Sequence, residues 1–392
     1  MATPRKYVVL KIPKPPTTLM GAPRSTGTNY PPAPLQAEVY ALDEKQANEL
    51  KRDAGYVTAP VMPLKLIAPM GGALETLLGA QDVAEVPWGL EAVGATRTRQ
   101  TGSGVTVAVL DTGIDRAHEA FKHLKPAQLV EQDFTDGGNG DSQGHGTHCA
   151  GTIFGSEVKG RRIGVAPGIE RALIGKVIGK GASTATLINA LQWALSQGAH
   201  VIAMSLGIDF PGLSAELQER YGMDAELATS KALEGYRDNL RLFDSMTDLV
   251  RRSSAFGKPS ILVAAAGNES KRRLNPDHTI AVSPPAVGDG VVAVAAVDRA
   301  FHVAEFSNTG AMLAAPGVDV LSANIGGGVV SMSGTSMAAP HVAGVAALWF
   351  EFLADTGGRI TMDIVTRRLV THAKNIPGAS EGDVGNGFVQ AP

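Results

Sequence analysis

A single cysteine, Cys149, stands in the 392 residues. That excludes an internal disulfide framework and argues against a small scaffold stapled by bridges. Strong charge of one sign is lacking as well. The 35 basic and 38 acidic side chains leave a formal net charge of -3, so no global field attracts nucleic acid or an anionic membrane surface. No apolar run approaches the ~20 residues needed to cross a bilayer. The one apolar stretch near the start, Tyr7 to Ile12, is interrupted by Lys11 and followed by Pro13, Pro15 and Pro16, unlike a secretory signal. These absences give the expectation of a cytoplasmic chain without nucleic-acid or membrane partners; a monomer is expected too, although no residue pattern specifies the oligomeric state.

What is present is an apolar fraction of 44% with 46 glycines, suited to a compact, turn-rich α/β chain long enough to bury a large core. From about residue 86 onward, apolar runs at 105–110, 172–178, 201–206, 261–266 and 291–297 are continuous rather than alternating. Strands covered on both faces of a parallel sheet have this pattern. Helix-length segments at 145–154, 184–196, 336–353 and 361–373 lie among them. The expectation is a three-layer α/β/α fold with a mostly parallel central sheet. Such sheets present ligands at the carboxyl ends of their strands, where Asp111 and Asn268 fall. The polar stretch 208–259 reads as a helical surface insertion, with Glu216 and Arg220 one turn apart.

Residues 1–80 differ in texture. A strand-like opening gives way to a Pro/Gly/Thr-rich stretch over 13–34, a charged helical segment near 41–54 and an extended run over 56–60. Acids near the start of that helix, followed by Lys51 and Arg52, complement its dipole. The division expected is a small α+β region over 1–80 and a larger domain over 81–392 that carries the 208–259 insertion. No internal repeat is seen.

The chemistry is concentrated in three turn-forming motifs. Gly334-Thr335-Ser336-Met337-Ala338-Ala339-Pro340-His341 sets a serine between a glycine and an apolar helix start. Asp111 closes the apolar run 105–110, and His145 sits in Gly144-His145-Gly146-Thr147-His148. A serine hydroxyl needs a neighbouring base to attack a carbonyl. Imidazole, with an ordinary pKa near ~6.5, can take that proton and return it to a leaving group. A buried carboxylate fixes the imidazole tautomer and stabilises its charged form. The chain order Asp111, His145, Ser336 is one of several known orders for this trio.

These motifs, with Asn268 in Ala264-Ala265-Ala266-Gly267-Asn268, resemble those of the subtilisin-like serine proteases, the subtilases, over about residues 86–392. The resemblance implies that Asp111 orients, His145 is general base then acid, and Ser336 is the nucleophile. It further implies that Asn268 and the Ser336 backbone N–H form an oxyanion hole. Two segments would sandwich an extended substrate: Gly181-Ala182-Ser183 and Ser205-Leu206-Gly207. Ala265, Ala266 and Gly267 would line the primary specificity pocket, with Glu269 at its rim. The 42–50 and 56–60 segments are similar to part of an inhibitor-type subtilase propeptide, which implies a zymogen whose N-terminal region assists folding and then blocks the cleft. Polypeptides are the implied substrates and the chain's own N-terminal region the implied inhibitor.

Competing readings bear on the same residues. His148 and Cys149 follow one turn after His145, yet no further spaced ligand completes a metal site, so a packed helix face is expected, with Cys149 beneath His145. Thr101-Gly102-Ser103-Gly104 precedes its strand, the wrong order for a dinucleotide turn. Many subtilases bind structural calcium. At the matching places this chain has Ala120 and Glu157-Val158-Lys159-Gly160-Arg161, which lack most of the oxygen ligands a hard cation requires. No cofactor is expected for catalysis and no strong calcium site, with a weaker one left open. Alternatives to an endopeptidase are a catalytically silent peptide-binding module, or an esterase or peptide ligase using the same trio.

Overall fold

The computed structural model describes residues 4–13, 35–70, 87–254 and 256–392. The proline-rich stretch over 14–34 and the boundary expected near residue 80 lie outside the described residues. In the N-terminal region, β1 (Arg5–Lys11) is the centre of a three-stranded antiparallel sheet between β2 (Gln36–Leu42) and β3 (Tyr56–Pro60). The helix expected from residue 41 begins later, as α1 (Glu44–Arg52). The reason is local: the Asp43 carboxylate accepts from the Gln46 N–H at 2.8 Å and the Gln46 side chain answers to the Asp43 N–H, a reciprocal cap that fixes the first turn. The next strand, β4 (Leu64–Leu66), leaves this sheet altogether.

After α2 (Trp88–Ala92), seven strands build one wholly parallel sheet: β5 (Thr106–Asp111), β6 (Leu129–Asp133), β9 (Arg171–Lys176), β10 (Val201–Met204), β12 (Ile261–Ala265), β13 (Val291–Val297) and β14 (Leu313–Pro316). Their spatial order is β14-β13-β12-β10-β5-β9-β6. The chain lays down β6 and β9 on one side of β5 and then crosses to lay down β10 on the other. Asp111 therefore ends the strand at which the sheet changes direction, the place where such sheets open a crevice. Every residue of β5, β10, β12 and β13 is buried, as the continuous apolar runs require.

Two short hairpins, β7 (Glu157–Val158) with β8 (Arg161–Arg162) and β15 (Val320–Ala323) with β16 (Val329–Met332), flank the sheet. On one face α3 (His145–Phe154) packs against α7 (Thr335–Asp355), which runs beneath β10, β12, β13 and β14. α4 (Thr184–Ser196) lies over β5 and β9, and α8 (Met362–Thr371) and α9 (Glu381–Val384) complete the shell. α7 is long and apolar enough to span a bilayer by length and composition, which departs from the expectation that no apolar run comes near that length, but it is an interior helix of this fold, and its first turn carries Ser336.

The 208–259 stretch contains the short α5 (Phe210–Tyr221) and the 30-residue α6 (Ala225–Ser254). They begin just after β11 (Leu206–Ile208). α6 packs directly on β3 of the N-terminal region. At Gly235 a Cβ would come within 3.2 Å of the Pro60 ring, so the close approach depends on the missing side chain. Buried Asn239 donates from Nδ2 to the Pro60 carbonyl at 2.9 Å, and Lys51 pairs with Asp238 at 2.6 Å. Gln192 of α4 holds Ala37 of β2 by both its N–H and its carbonyl, each at 2.9 Å.

Candidate active site

Two glycines allow the Asp111 and His145 motifs to meet. Gly113 adopts φ +110°, closed to ordinary side chains, and a Cβ there would collide with the Gly140 carbonyl. A Cβ on Gly146 would collide with the Gly113 carbonyl. With both bare, the start of α3 sits against the end of β5, and His145 Nδ1 lies 2.8 Å from Asp111 Oδ1. Both side chains are almost fully buried. Enclosure alone would disfavour a charged imidazole, but the carboxylate against it outweighs that and holds the His145 pKa well above the ordinary value.

The sequence did not single out Asp141, which ties the two motifs together. Its Oδ1 accepts from the backbone N–H groups of Gln143 and Gly144, both at 2.9 Å, and from Thr112 Oγ1 at 3.0 Å. Its Oδ2 accepts from the Thr147 N–H at 2.9 Å and hydroxyl at 2.7 Å. Burial would raise this carboxyl's pKa, yet these donors lower it. Its position four residues before His145 was the available signal. Asp141→Ala should lower kcat/KM by about 10- to 100-fold, since small displacements of a catalytic pair carry losses of that size. Steady-state kinetics on a folded variant checks this.

Ser336 opens the first turn of α7, fully buried. Its hydroxyl does not point to His145. It donates to the Ile67 carbonyl at 2.7 Å, and among the described residues His145 Nε2 has no hydrogen-bond partner. The cause is a strap of N-terminal chain over 62–70 that fills the cleft. β4 pairs antiparallel with β11, matching Leu66 with Leu206, Lys65 with Gly207 and Leu64 with Ile208. The Leu64 N–H donates to the Ala182 carbonyl and the Ile67 N–H to the Ser205 carbonyl, both at 3.3 Å, while Pro63 bridges Ser183. Of the residues expected to sandwich an extended chain, Ala182, Ser183, Ser205, Leu206 and Gly207 all touch this strap, and Gly181 forms the adjoining turn at φ +79°.

Asn268 lies just past the end of β12. Its Oδ1 accepts from the Thr335 N–H at 2.9 Å and the Thr335 hydroxyl at 2.8 Å. Pinned in this way, the amide must aim Nδ2 into the cleft, where it donates to the Ala68 carbonyl at 2.9 Å. Thr335 is a second positioning residue that sequence reasoning passed over, although it precedes Ser336 directly. Ala265 and Ala266 are buried at the end of β12, and Gly267 donates to Thr335 Oγ1 at 3.1 Å.

Cys149 lies beneath the pair, its Sγ 3.8 Å from His145 Nδ1 and 3.4 Å from the Ser336 carbonyl. Burial raises its pKa, so it is a thiol. Asp111, His145 and Cys149 are the one group among the described residues with metal-ligand proximity, but the Asp111–His145 hydrogen bond already occupies it. His148 is a packed residue: its Nε2 meets the Val320 carbonyl at 3.0 Å and burial lowers its pKa to about 3. His341 is likewise enclosed, its Nδ1 on the Met337 carbonyl at 2.9 Å. Asp115 shapes a loop, accepting from the Ala117 and Gly326 N–H groups.

A sequence model described as the Subtilase family matches residues 102–387. An intracellular serine protease of Paenibacillus polymyxa is 35% identical over 280 residues, covering 68% of this chain and 74% of that protein. The M-protease of Shouchella clausii is 34% identical over 329 residues, covering 79% and 74%. Subtilisin Savinase of Lederbergia lenta is 36% identical over 271 residues, covering 67% and 83%.

Proposed function

This chain belongs to the subtilase family and is a serine endopeptidase, and on that premise we propose that Asp111, His145, Ser336 and Asn268 perform the hydrolysis. The observation that carries this reading is the 2.8 Å bond from His145 Nδ1 to buried Asp111, with Cys149 Sγ touching both that imidazole and the Ser336 carbonyl. With Nδ1 donating to the carboxylate, Nε2 is left as the base. It takes the Ser336 proton as Oγ bonds to the substrate carbonyl carbon. The oxygen of that carbonyl becomes an oxyanion and accepts from Asn268 Nδ2, whose aim Thr335 fixes in advance. His145 then passes its proton to the departing amine, leaving an acyl group on Ser336, and water repeats the sequence to release the acid. Catalysis needs no cofactor.

The N-terminal region acts, on this reading, as an inhibitor that must be cleared. The strap lies as a substrate would, but out of step with the chemistry. Ser336 Oγ meets the carbonyl of Ile67, whereas the oxyanion amide holds the carbonyl of the next residue, Ala68. Attack at Ile67 therefore lacks its charge-stabilising donor. The next bond, Ala68–Pro69, would release a proline nitrogen. The contacts of α4 and α6 with β2 and β3 keep the strap's source in place. Freshly isolated full chain should show a lag, then rising peptidase activity in step with the appearance of a new N-terminus. Full activity from the first moment with an intact N-terminus contradicts the inhibitor reading.

We also propose a cytoplasmic monomer without the strong calcium site of many subtilases. The intracellular serine protease among the relatives supports the location. Ala120 and the β7–β8 hairpin support the second point. Arg162 directs its guanidinium to the Gly164 and Val165 carbonyls at 2.8 and 2.6 Å, a fixed positive charge beside that hairpin. EDTA should move Tm by less than about 2 °C, the scale of under ~1 kcal/mol in a domain this large. A fall of many degrees contradicts it.

A further inference from the structure

The strap carries one basic residue within the cleft, Lys65, and its ammonium has a defined partner. Nζ lies 2.8 Å from Oε1 of Glu269, the residue that directly follows Asn268. That carboxylate is held from behind. Its Oε2 accepts from Asn308 Nδ2 at 2.7 Å. Asn308 is itself buried, donates also to the Ala266 carbonyl at 3.2 Å, and accepts from the Glu269 and Ser270 N–H groups at 3.1 Å. With one oxygen tied to an interior amide, the other is preset toward the cleft, and little rotamer freedom is lost when a cation arrives. Burial opposes charge on Glu269, yet Lys65 and Asn308 bring its pKa below the ordinary range, so it is a carboxylate at neutral pH.

The ladder register decides which residue of a bound chain meets this carboxylate. Lys65 stands opposite Gly207, and Leu64 and Leu66 stand opposite Ile208 and Leu206. Strand alternation places Lys65 and Ile67 on one face and Leu64 and Leu66 on the other. Ile67 owns the carbonyl that meets Ser336. A substrate that keeps this ladder register, but turns the carbonyl at the Ile67 place onto Asn268 Nδ2 where the strap instead offers Ala68, brings its third residue before the scissile bond to Glu269.

We propose that Glu269, positioned by Asn308, determines specificity by selecting a lysine or arginine at the third residue before the cleaved bond, between aliphatic neighbours. The inference rests on reading the strap as a substrate-like occupant of the cleft. Leu64-Lys65-Leu66-Ile67 is then a template of the preferred substrate, and one ion pair serves both retention of the N-terminal region and choice of substrate. The Glu269 side chain is 39% exposed, so the selection is graded rather than absolute.

The test uses the full chain once it has reached constant activity, with fluorogenic peptides of sequence Leu-X-Leu-Ile, where X is Lys, Gln or Glu. For wild type, kcat/KM with Lys should exceed that with Gln about three- to five-fold, the size of a partly exposed ion pair, with Glu lower still. The preference should shrink at ~1 M salt. Glu269→Gln should erase the ratio between Lys and Glu peptides, and Glu269→Lys should invert it. Equal kcat/KM for the three peptides with cleavage after Ile overturns the selection while leaving the strap reading intact. Failure to cleave after Ile overturns the register, and with it both.

Discussion

Replacing Ser336 with alanine should lower kcat for peptide hydrolysis by about a million-fold, the loss expected when the nucleophile of such a unit is removed. The structure indicates why this loss is chemical and not a folding defect. Ser336 lies in the first turn of α7, and among the described residues its hydroxyl bonds to the Ile67 carbonyl of the strap. Alanine suits a helix interior, and it fits the buried place that the serine side chain occupies. The variant should therefore melt like the parent. It should also keep its full mass of 40.6 kDa on storage, because the proposed clearance of the N-terminal region needs the same nucleophile. Mass spectrometry and progress curves on one preparation read both effects. Activity within a hundred-fold of the parent would mean that another residue attacks, and a shortened chain would mean that processing is done elsewhere.

Asp111→Asn carries the second-largest expected effect, a drop in kcat of about ten-thousand-fold with the fold preserved. Two consequences follow from the 2.8 Å contact with His145. An amide that donates to Nδ1 favours the tautomer with hydrogen on Nε2, which cannot accept the Ser336 proton. The pH dependence must shift as well. In the proposed mechanism His145 acts as a base only when neutral, and the Asp111 carboxylate holds its pKa well above the ordinary value despite burial. Removing that charge leaves burial dominant and lowers the pKa. The acid limb of kcat/KM against pH should move to lower pH in the variant. A limb that stays in place would show that another group sets it.

Much of this site was legible in the residues themselves. The Asp111 and Asn268 motifs close fully buried strands and the His145 and Ser336 motifs open buried helices, and both the apolar continuity and the glycines are written locally. β5, β10, β12 and β13 were likewise foreseeable, since strands covered on both faces need unbroken apolar stretches. The edge strands were not. β6 ends in Glu131, Gln132 and Asp133, and β14 has four residues closed by Pro316. Neither length nor pattern marks such segments.

The strap was invisible for a different reason. β4 has three residues between prolines, and its existence depends on pairing with β11, more than a hundred residues away. The early helix expected at residue 41 gave way to β2 because Asp43 caps the helix two residues later. Asp141 and Thr335 act only through the groups they hold, Thr112, Gly144 and Thr147 in one case and Asn268 in the other. Their importance arises from tertiary contact.

The most direct measurement is covalent labelling of the active protein with a fluorophosphonate, followed by peptide mapping. A nucleophile activated by His145 and Asp111 should yield one adduct, on Ser336, in wild type and none in Ser336→Ala. An adduct on any other residue, or labelling that survives in the variant, would contradict the assignment of this site.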